Sequence, residues 1–244
     1  MTEELLKHIV QEKKAYLDMR TADYCHRSNN LKSVVLVGKA DSVFLSLVAK
    51  RCVYFDIQPI FQYPQVDVLR TPSHSAVVFD TDDRCVTTTC NSAIMLGDID
   101  CVNTTGISSV AEALYELLQG ANLVSGKSVC IIGRGHAVQG LAAMLSKFDA
   151  TVTVCHSKTR LNPIFTNDGE HKMYPAADIV ICAAPQLGGV ILAHELVIDI
   201  SGAAKDACIN KKSVYFSGIG PLTIAVLVNR IAVHCMNGCA CDGQ

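Results

Sequence analysis

Seven short apolar runs constrain what this chain can fold into. Residues 33–37 (SVVLV), 58–62, 75–79 (SAVVF), 128–132, 151–156, 179–183 and 196–200 are strand-length and mostly rich in β-branched residues. Helical segments fall between them. The spacing predicts helices over residues 2–23, from Asp41 onward, over 108–119, over 137–148 and over 221–233. Asp41 or Ser42 is the expected cap of the second helix, Ser108 caps the third, and Pro221 opens the last one where its missing N–H costs nothing. Strands that alternate with helices argue for an α/β fold with a parallel sheet covered by helices.

The chain has 244 residues, enough for one large domain or two small ones, and half of them are hydrophobic. A net charge of −2 without a basic run gives no footprint for nucleic acid. No apolar run reaches the roughly 18 residues of a membrane span, and the charged N-terminus reads as an amphipathic helix, not a secretory signal. Several of the 12 cysteines sit inside apolar strands, as Cys130, Cys155 and Cys182 do. Buried thiols of this kind behave as small hydrophobes, and the expectation is a reduced, cytoplasmic protein. Cys235, Cys239 and Cys241 lie beside His234 in the tail, but their spacing fits no zinc pattern, so no metal is expected.

The stretch 129–140, VCIIGRGHAVQG, carries the strongest chemical signal. A strand that runs through a glycine turn into a helix is the phosphate-binding corner of a dinucleotide fold. Gly133, Arg134 and Gly135 supply the start of the turn. The third glycine of the usual fingerprint would stand at Val138, and here it is Gly140. Alone, the match is weak. The next strand sharpens it. NAD sites place an acid at its end to hold the ribose; this chain has His156, Ser157 and Lys158. A basic, hydroxylic end with Arg134 nearby suits a 2′-phosphate, hence NADP, with NAD possible. The bland alternative is a solvated strand end.

Taken together, IIGRGHAVQG, ATVTVCHSKT, AADIVICAA, VIDISG and GIGPLT occur in that order. The series resembles the FolD-type methylenetetrahydrofolate dehydrogenase/cyclohydrolases over residues 106–233, and more weakly over 33–57. The resemblance implies two α/β domains joined by long helices. One is a Rossmann NAD(P)-binding domain at 107–220. The other is a shortened folate-type domain at 1–106, completed by 221–244. It also implies an active site in the cleft, a folate-type small molecule as substrate, and a homodimer. Cofactor contacts fall on Gly133, Arg134, Gly135, His156, Ser157, Lys158, Gly220 and Thr223. Phe44, Asp83, Gly218 and Pro221 fall to the substrate.

The chain departs from this family in its first half. The family's catalytic helix carries Tyr-x-x-x-Lys, with both side chains on one face. Alignment of DSVFLSLVAKRC puts Phe44 at the Tyr and Val48 at the Lys. Phe can stack on a pterin; Val cannot move a proton. Lys50 would need a register shift of two residues. The pterin-binding Asp aligns with Cys85, with Asp83 two residues earlier, and Asp80, Asp82 and Asp83 form an acidic cluster that could replace it or be a solvated loop. The Pro-Cys-Thr-Pro segment becomes residues 101–104 (CVNT), and the front half of the glycine-rich closing loop is lost before Gly218. Two readings follow. One is a dehydrogenase that has lost cyclohydrolase activity. The other is an inactive nucleotide- or partner-binding protein on the same scaffold.

Overall fold

The computed structural model describes residues 1–27, 32–39, 41–62, 76–80, 99–100, 106–156, 164–165, 172–187, 191, 193–205 and 212–237. The chain divides into two compact units. One holds Met1–Lys13 and Val110–Gly220; the other holds Lys14–Ser109 and Pro221–Gln244. Among the described residues, no helix is long and apolar enough to cross a membrane.

The second of these units is built on a three-stranded parallel sheet. Strand β1 (Ser33–Gly38) lies between β2 (Gln58–Gln62) and β3 (Ala76–Asp80). Every residue of β1 is buried, as expected of a central parallel strand covered on both faces. Val34 and Leu36 pack into a core with Leu45, Val48 and Cys52 of helix α2 (Val43–Tyr54). Leu227, Val228 and Ile231 join the same core, and Val35, Val37, Val77 and Phe79 fill the other face.

Gly38 ends β1 where there is no room for a side chain. A Cβ there would stand 2.6 Å from the Asp80 carbonyl oxygen and 2.7 Å from Leu45 Cδ1. Ser42 settles the two candidate caps of α2: its Oγ accepts the Leu45 N–H at 3.0 Å. The same hydroxyl donates to the Asp80 carboxylate. Asp80 is thus engaged by the cap of the neighbouring helix.

The other unit carries five parallel strands in the order β10-β9-β8-β4-β5. These are β4 (Ser128–Ile132), β5 (Thr151–Cys155), β8 (Ala177–Cys182), β9 (Ala193–Asp199) and β10 (Val214–Phe216). Strands β6 (Ile164–Phe165) and β7 (Lys172–Met173) form a separate antiparallel pair. Helix α3 (Ser109–Gly120) begins with its Ser109 N–H on the buried Asp100 carboxylate at 2.7 Å. Helix α1 (Glu3–Arg27) runs four residues further than the sequence suggests and belongs to both units. Its first part packs on α3. Lys13 pairs with Glu116 at 2.7 Å, and a Cβ on Gly120 would meet Ile9 at 2.8 Å. The last helix, α5 (Gly220–Asn237), is also longer than expected.

One helix differs from expectation. A single helix over residues 137–148 does not form. A 3-10 turn at His136–Val138 gives way to an extended Gln139, and Gly140 takes a left-handed conformation at φ 82°. Helix α4 (Leu141–Lys147) starts only after that break. Apolar periodicity marks the buried Val138, Leu141 and Leu145 but does not register the break in the backbone.

Replacing Gly38 with alanine should therefore destabilise the chain by about 1–3 kcal/mol, because the new methyl meets backbone that cannot swing away. Denaturant unfolding of the variant checks this; an unchanged midpoint would contradict the packing described.

Candidate functional site

In an open parallel sheet, ligands bind beyond the carboxyl ends of the strands, where chain order reverses. In the five-stranded sheet that point lies between β4 and β8. From β4 the chain passes to β5 on one side, and later strands build outward on the other. Gly133 sits at this point. Its N–H donates to the Cys155 carbonyl at 2.8 Å, and the Ala183 N–H reaches the Ile132 carbonyl at 2.8 Å. Gly133 has φ 120°, and a Cβ there would press within 3.1–3.3 Å of the Ala183–Ala184 backbone. Only glycine fits such a corner without strain. Gly135 has nothing within 4 Å of where its Cβ would be. It is exposed with Arg134, and half-buried His156 follows the neighbouring strand. The turn that starts at Gly133 is thus a tight glycine corner, open at Gly135 and beside exposed Arg134, which suits a phosphate-bearing ligand. The wide interval between its second and third glycines is taken up by the 3-10 turn, and Gly140 serves as the cap of α4.

The carboxyl end of β9 carries a residue that the sequence does not single out. Asp199 there is only 2% exposed, yet it is surrounded by donors. Its Oδ1 accepts the Ser201 N–H and Oγ at 3.1 Å each and the Gly202 N–H at 2.8 Å. Its Oδ2 accepts the Ala204 N–H at 2.8 Å and the Tyr215 hydroxyl at 2.7 Å. Burial works against its ionisation. The Ala204 amide, Tyr215, Ser201 and the Gly202 amide outweigh burial and hold the carboxyl below its usual range. An Asp followed by Ser and Gly two and three residues on is an Asx-turn signature that sequence reading can find. The bond to Tyr215 is a tertiary contact and cannot be read that way.

In the three-stranded unit, α2 holds the residues at issue. Phe44 is half-buried and packs against the core. Val48 is fully buried within that core, so position 48 has no access to a ligand. Lys50 is exposed, and half-buried Ser46 precedes it by one helical turn. A cavity of about 470 Å³ lies at the opposite end of β1, lined by Asp18, Met19, Cys25, Lys32, Tyr54 and Phe55 among others. Two of its charged groups, Asp18 and Lys32, are already committed. Asp18 binds Lys14 at 2.8 Å and also Arg51, and Lys32 donates to the Cys25 carbonyl. It coincides with none of the residues expected from the sequence.

The remaining expected residues divide as follows. Gly218 and Gly220 are exposed, as is Pro221, while Thr223 in the first turn of α5 is buried. Gly218 abuts the Phe216 ring, where a Cβ would come within 2.9 Å. Asp82, Asp83, Cys85, Ser157, Lys158, Cys239 and Cys241 lie outside the described residues. Cys235 is buried and donates to the Ser33 carbonyl at 3.6 Å. Cys130 and Cys155 are free thiols with sulfurs 3.7 Å apart, and burial pushes both upward in pKa, so they are poorly reactive. Among the described residues no group of three metal-ligating side chains occurs.

The depressed acidity of Asp199 carries a sign. Stability from a carboxylate with a lowered folded pKa is present above its unfolded value, near 3.9, and is lost as pH falls through the folded value. Asp199→Asn should lower stability at neutral pH by about 2–4 kcal/mol. The gap from the parent protein should narrow below about pH 4. Denaturant melts across pH check both; a gap independent of pH would contradict the ionised state of Asp199.

Residues 108–200 match the tetrahydrofolate dehydrogenase/cyclohydrolase NAD(P)-binding domain. Similar proteins include the bifunctional protein FolD of Pseudothermotoga lettingae, 35% identical over 146 residues, covering 52% of this chain and 50% of that protein. FolD of Thermosipho africanus is 34% identical over 139 residues, covering 50% and 48%. The chain therefore spans about half the length of the curated relatives it matches. Its fold is similar to that of Campylobacter jejuni FolD, with a TM-score of 0.66, 20% identity and coverage of 96% and 97%. It is also similar to Trypanosoma brucei FolD complexed with NADP and an inhibitor, with a TM-score of 0.62, 21% identity and coverage of 98% and 97%. The α/β fold, the order of the motifs and the matched domain lead to one conclusion: the chain is similar to the FolD-type methylenetetrahydrofolate dehydrogenase/cyclohydrolases, and its residues 108–200 match their NAD(P)-binding domain.

Proposed function

We propose that the chain is an NADP-dependent oxidoreductase of one-carbon metabolism, acting on a methylenetetrahydrofolate-type substrate. The observation that carries this is Gly133, held at φ 120° against the Ala183–Ala184 backbone at the switch point, with open space beside Gly135. Hydride transfer is the chemistry that the bound dinucleotide supplies. The chain's own residues bind and orient. The glycine corner at Gly133 and Gly135 lets the backbone approach phosphate closely, and exposed Arg134 offers a cation for a 2′-phosphate. The unit holding Lys14–Ser109 and Pro221–Gln244 is, in this reading, the shortened folate-type half. We further read the chain as a homodimer, which sedimentation would test.

Calorimetric titration with NADP, NAD and tetrahydrofolate, each alone, tests the assignment. NADP should bind, and Arg134→Ala should weaken NADP about tenfold more than NAD. Equal loss of both would remove Arg134 from the 2′-phosphate. Binding of no dinucleotide would overturn the function and favour an inactive scaffold.

Cyclohydrolase activity turns on the register of α2. Phe44 and Val48 keep a ring and lose the lysine. Ser46 and Lys50 keep a lysine and lose the ring. Full burial of Val48 and exposure of Lys50 favour the second register. Lys50→Ala should then abolish any hydrolysis of methenyltetrahydrofolate while leaving dinucleotide binding intact. Unchanged hydrolysis in that variant would return Lys50 to the solvated surface.

A further inference from the structure

The carboxyl edge of the five-stranded sheet has two unlike sides. On the β5 side of the switch point stand exposed Arg134, the glycine turn and half-buried His156. On the β9 side stands the loop gathered around Asp199. The edge is continuous between them: the Ile200 N–H bonds the Cys182 carbonyl at 2.9 Å, as the Ala183 N–H bonds the Ile132 carbonyl. A dinucleotide across a switch point places one nucleotide on each side.

The β9 side is unsuited to an anion. The amides of Ser201, Gly202 and Ala204 all turn inward onto Asp199, so they are spent before any ligand arrives. The hydroxyls of Ser201 and Tyr215 are spent there too. All five donors are neutral, and among the described residues no cation pairs with this carboxylate. The loop therefore keeps a full negative charge beneath a surface that has given up its donors. Charge held in a partly desolvated site acts over longer distances than charge in water. A positive group bound over this loop is favoured and a neutral one gains nothing.

We propose that Asp199 sets specificity for the oxidation state of the dinucleotide, favouring the cationic, oxidised nicotinamide over the neutral, reduced one. The proposal rests on the dinucleotide reading given above. Tyr215 ties one carboxylate oxygen to β10 and helps hold the loop, without supplying or removing its charge.

The test is the ratio of dissociation constants for NADPH and NADP, measured by calorimetry at neutral pH. The parent protein should bind the oxidised form more tightly. Asp199→Asn should shrink that preference about tenfold. Tyr215→Phe leaves the charge in place, so it should weaken both forms alike and leave the ratio unchanged. Loosening of the loop alone would also weaken both forms together, so the ratio separates charge from structure. An unchanged ratio in Asp199→Asn overturns the proposal, as does an equal shift in Tyr215→Phe. Should Asp199→Asn not fold, the parent protein still decides: preference for the reduced form overturns the role of Asp199. Binding of neither form by the parent protein would instead overturn the dinucleotide reading itself.

Discussion

In both units an interior strand runs into a glycine pressed against the backbone at the end of a later, neighbouring strand. Gly38 lies on the Asp80 carbonyl, and Gly133 lies on Ala183–Ala184. The sheets are built alike around these points. In each, the first strand is interior, the next strand pairs on one side, and a later one pairs on the other. A side chain at either glycine would force the strands apart where they diverge. The close approach lets both sheets stay closed up to their carboxyl ends, and the crevices open there. What differs is what each end offers. At Gly38 the polar groups are used internally, as Ser42 caps α2 and donates to Asp80. At Gly133 the turn leaves exposed Arg134 and the open side of Gly135. The candidate site follows from that difference.

Much of this fold is legible in the sequence because the strands are buried on both faces. A central strand such as SVVLV or SVCII has no polar side to obscure it, and these runs are strands within a residue or two of where they are expected. Short elements are not legible. The three residues of β10 and the two-residue strands β6 and β7 carry no periodicity. Nor is the break before α4, since a left-handed Gly140 leaves the apolar pattern of Val138, Leu141 and Leu145 untouched.

The site is legible to a lesser degree, for a physical reason. Glycines reveal backbone demands, so Gly133 and Gly135 stand out in the sequence. A buried carboxylate reveals nothing until its donors are brought to it. Asp199 gathers groups from its own loop and from β10, and only the fold makes Tyr215 its neighbour. On α2 the helical spacing is legible, but which side chains meet the core is not. Phe44 and Val48 are one turn apart, yet Val48 points into the core formed with Leu227 and Ile231. Which face of an apolar helix is buried depends on what packs against it, and here that includes a helix from the far end of the chain.

The central claim is that the Gly133 corner is a working dinucleotide site and not only a tight turn. Amide hydrogen exchange of the whole protein, with and without NADP, tests it most directly. The account predicts added protection from Gly133 through Gly140 and none at Lys39 or Asp41 beyond β1. Protection absent from Gly133–Gly140 at saturating NADP would contradict it, and the turn would then serve only to join β4 to α4.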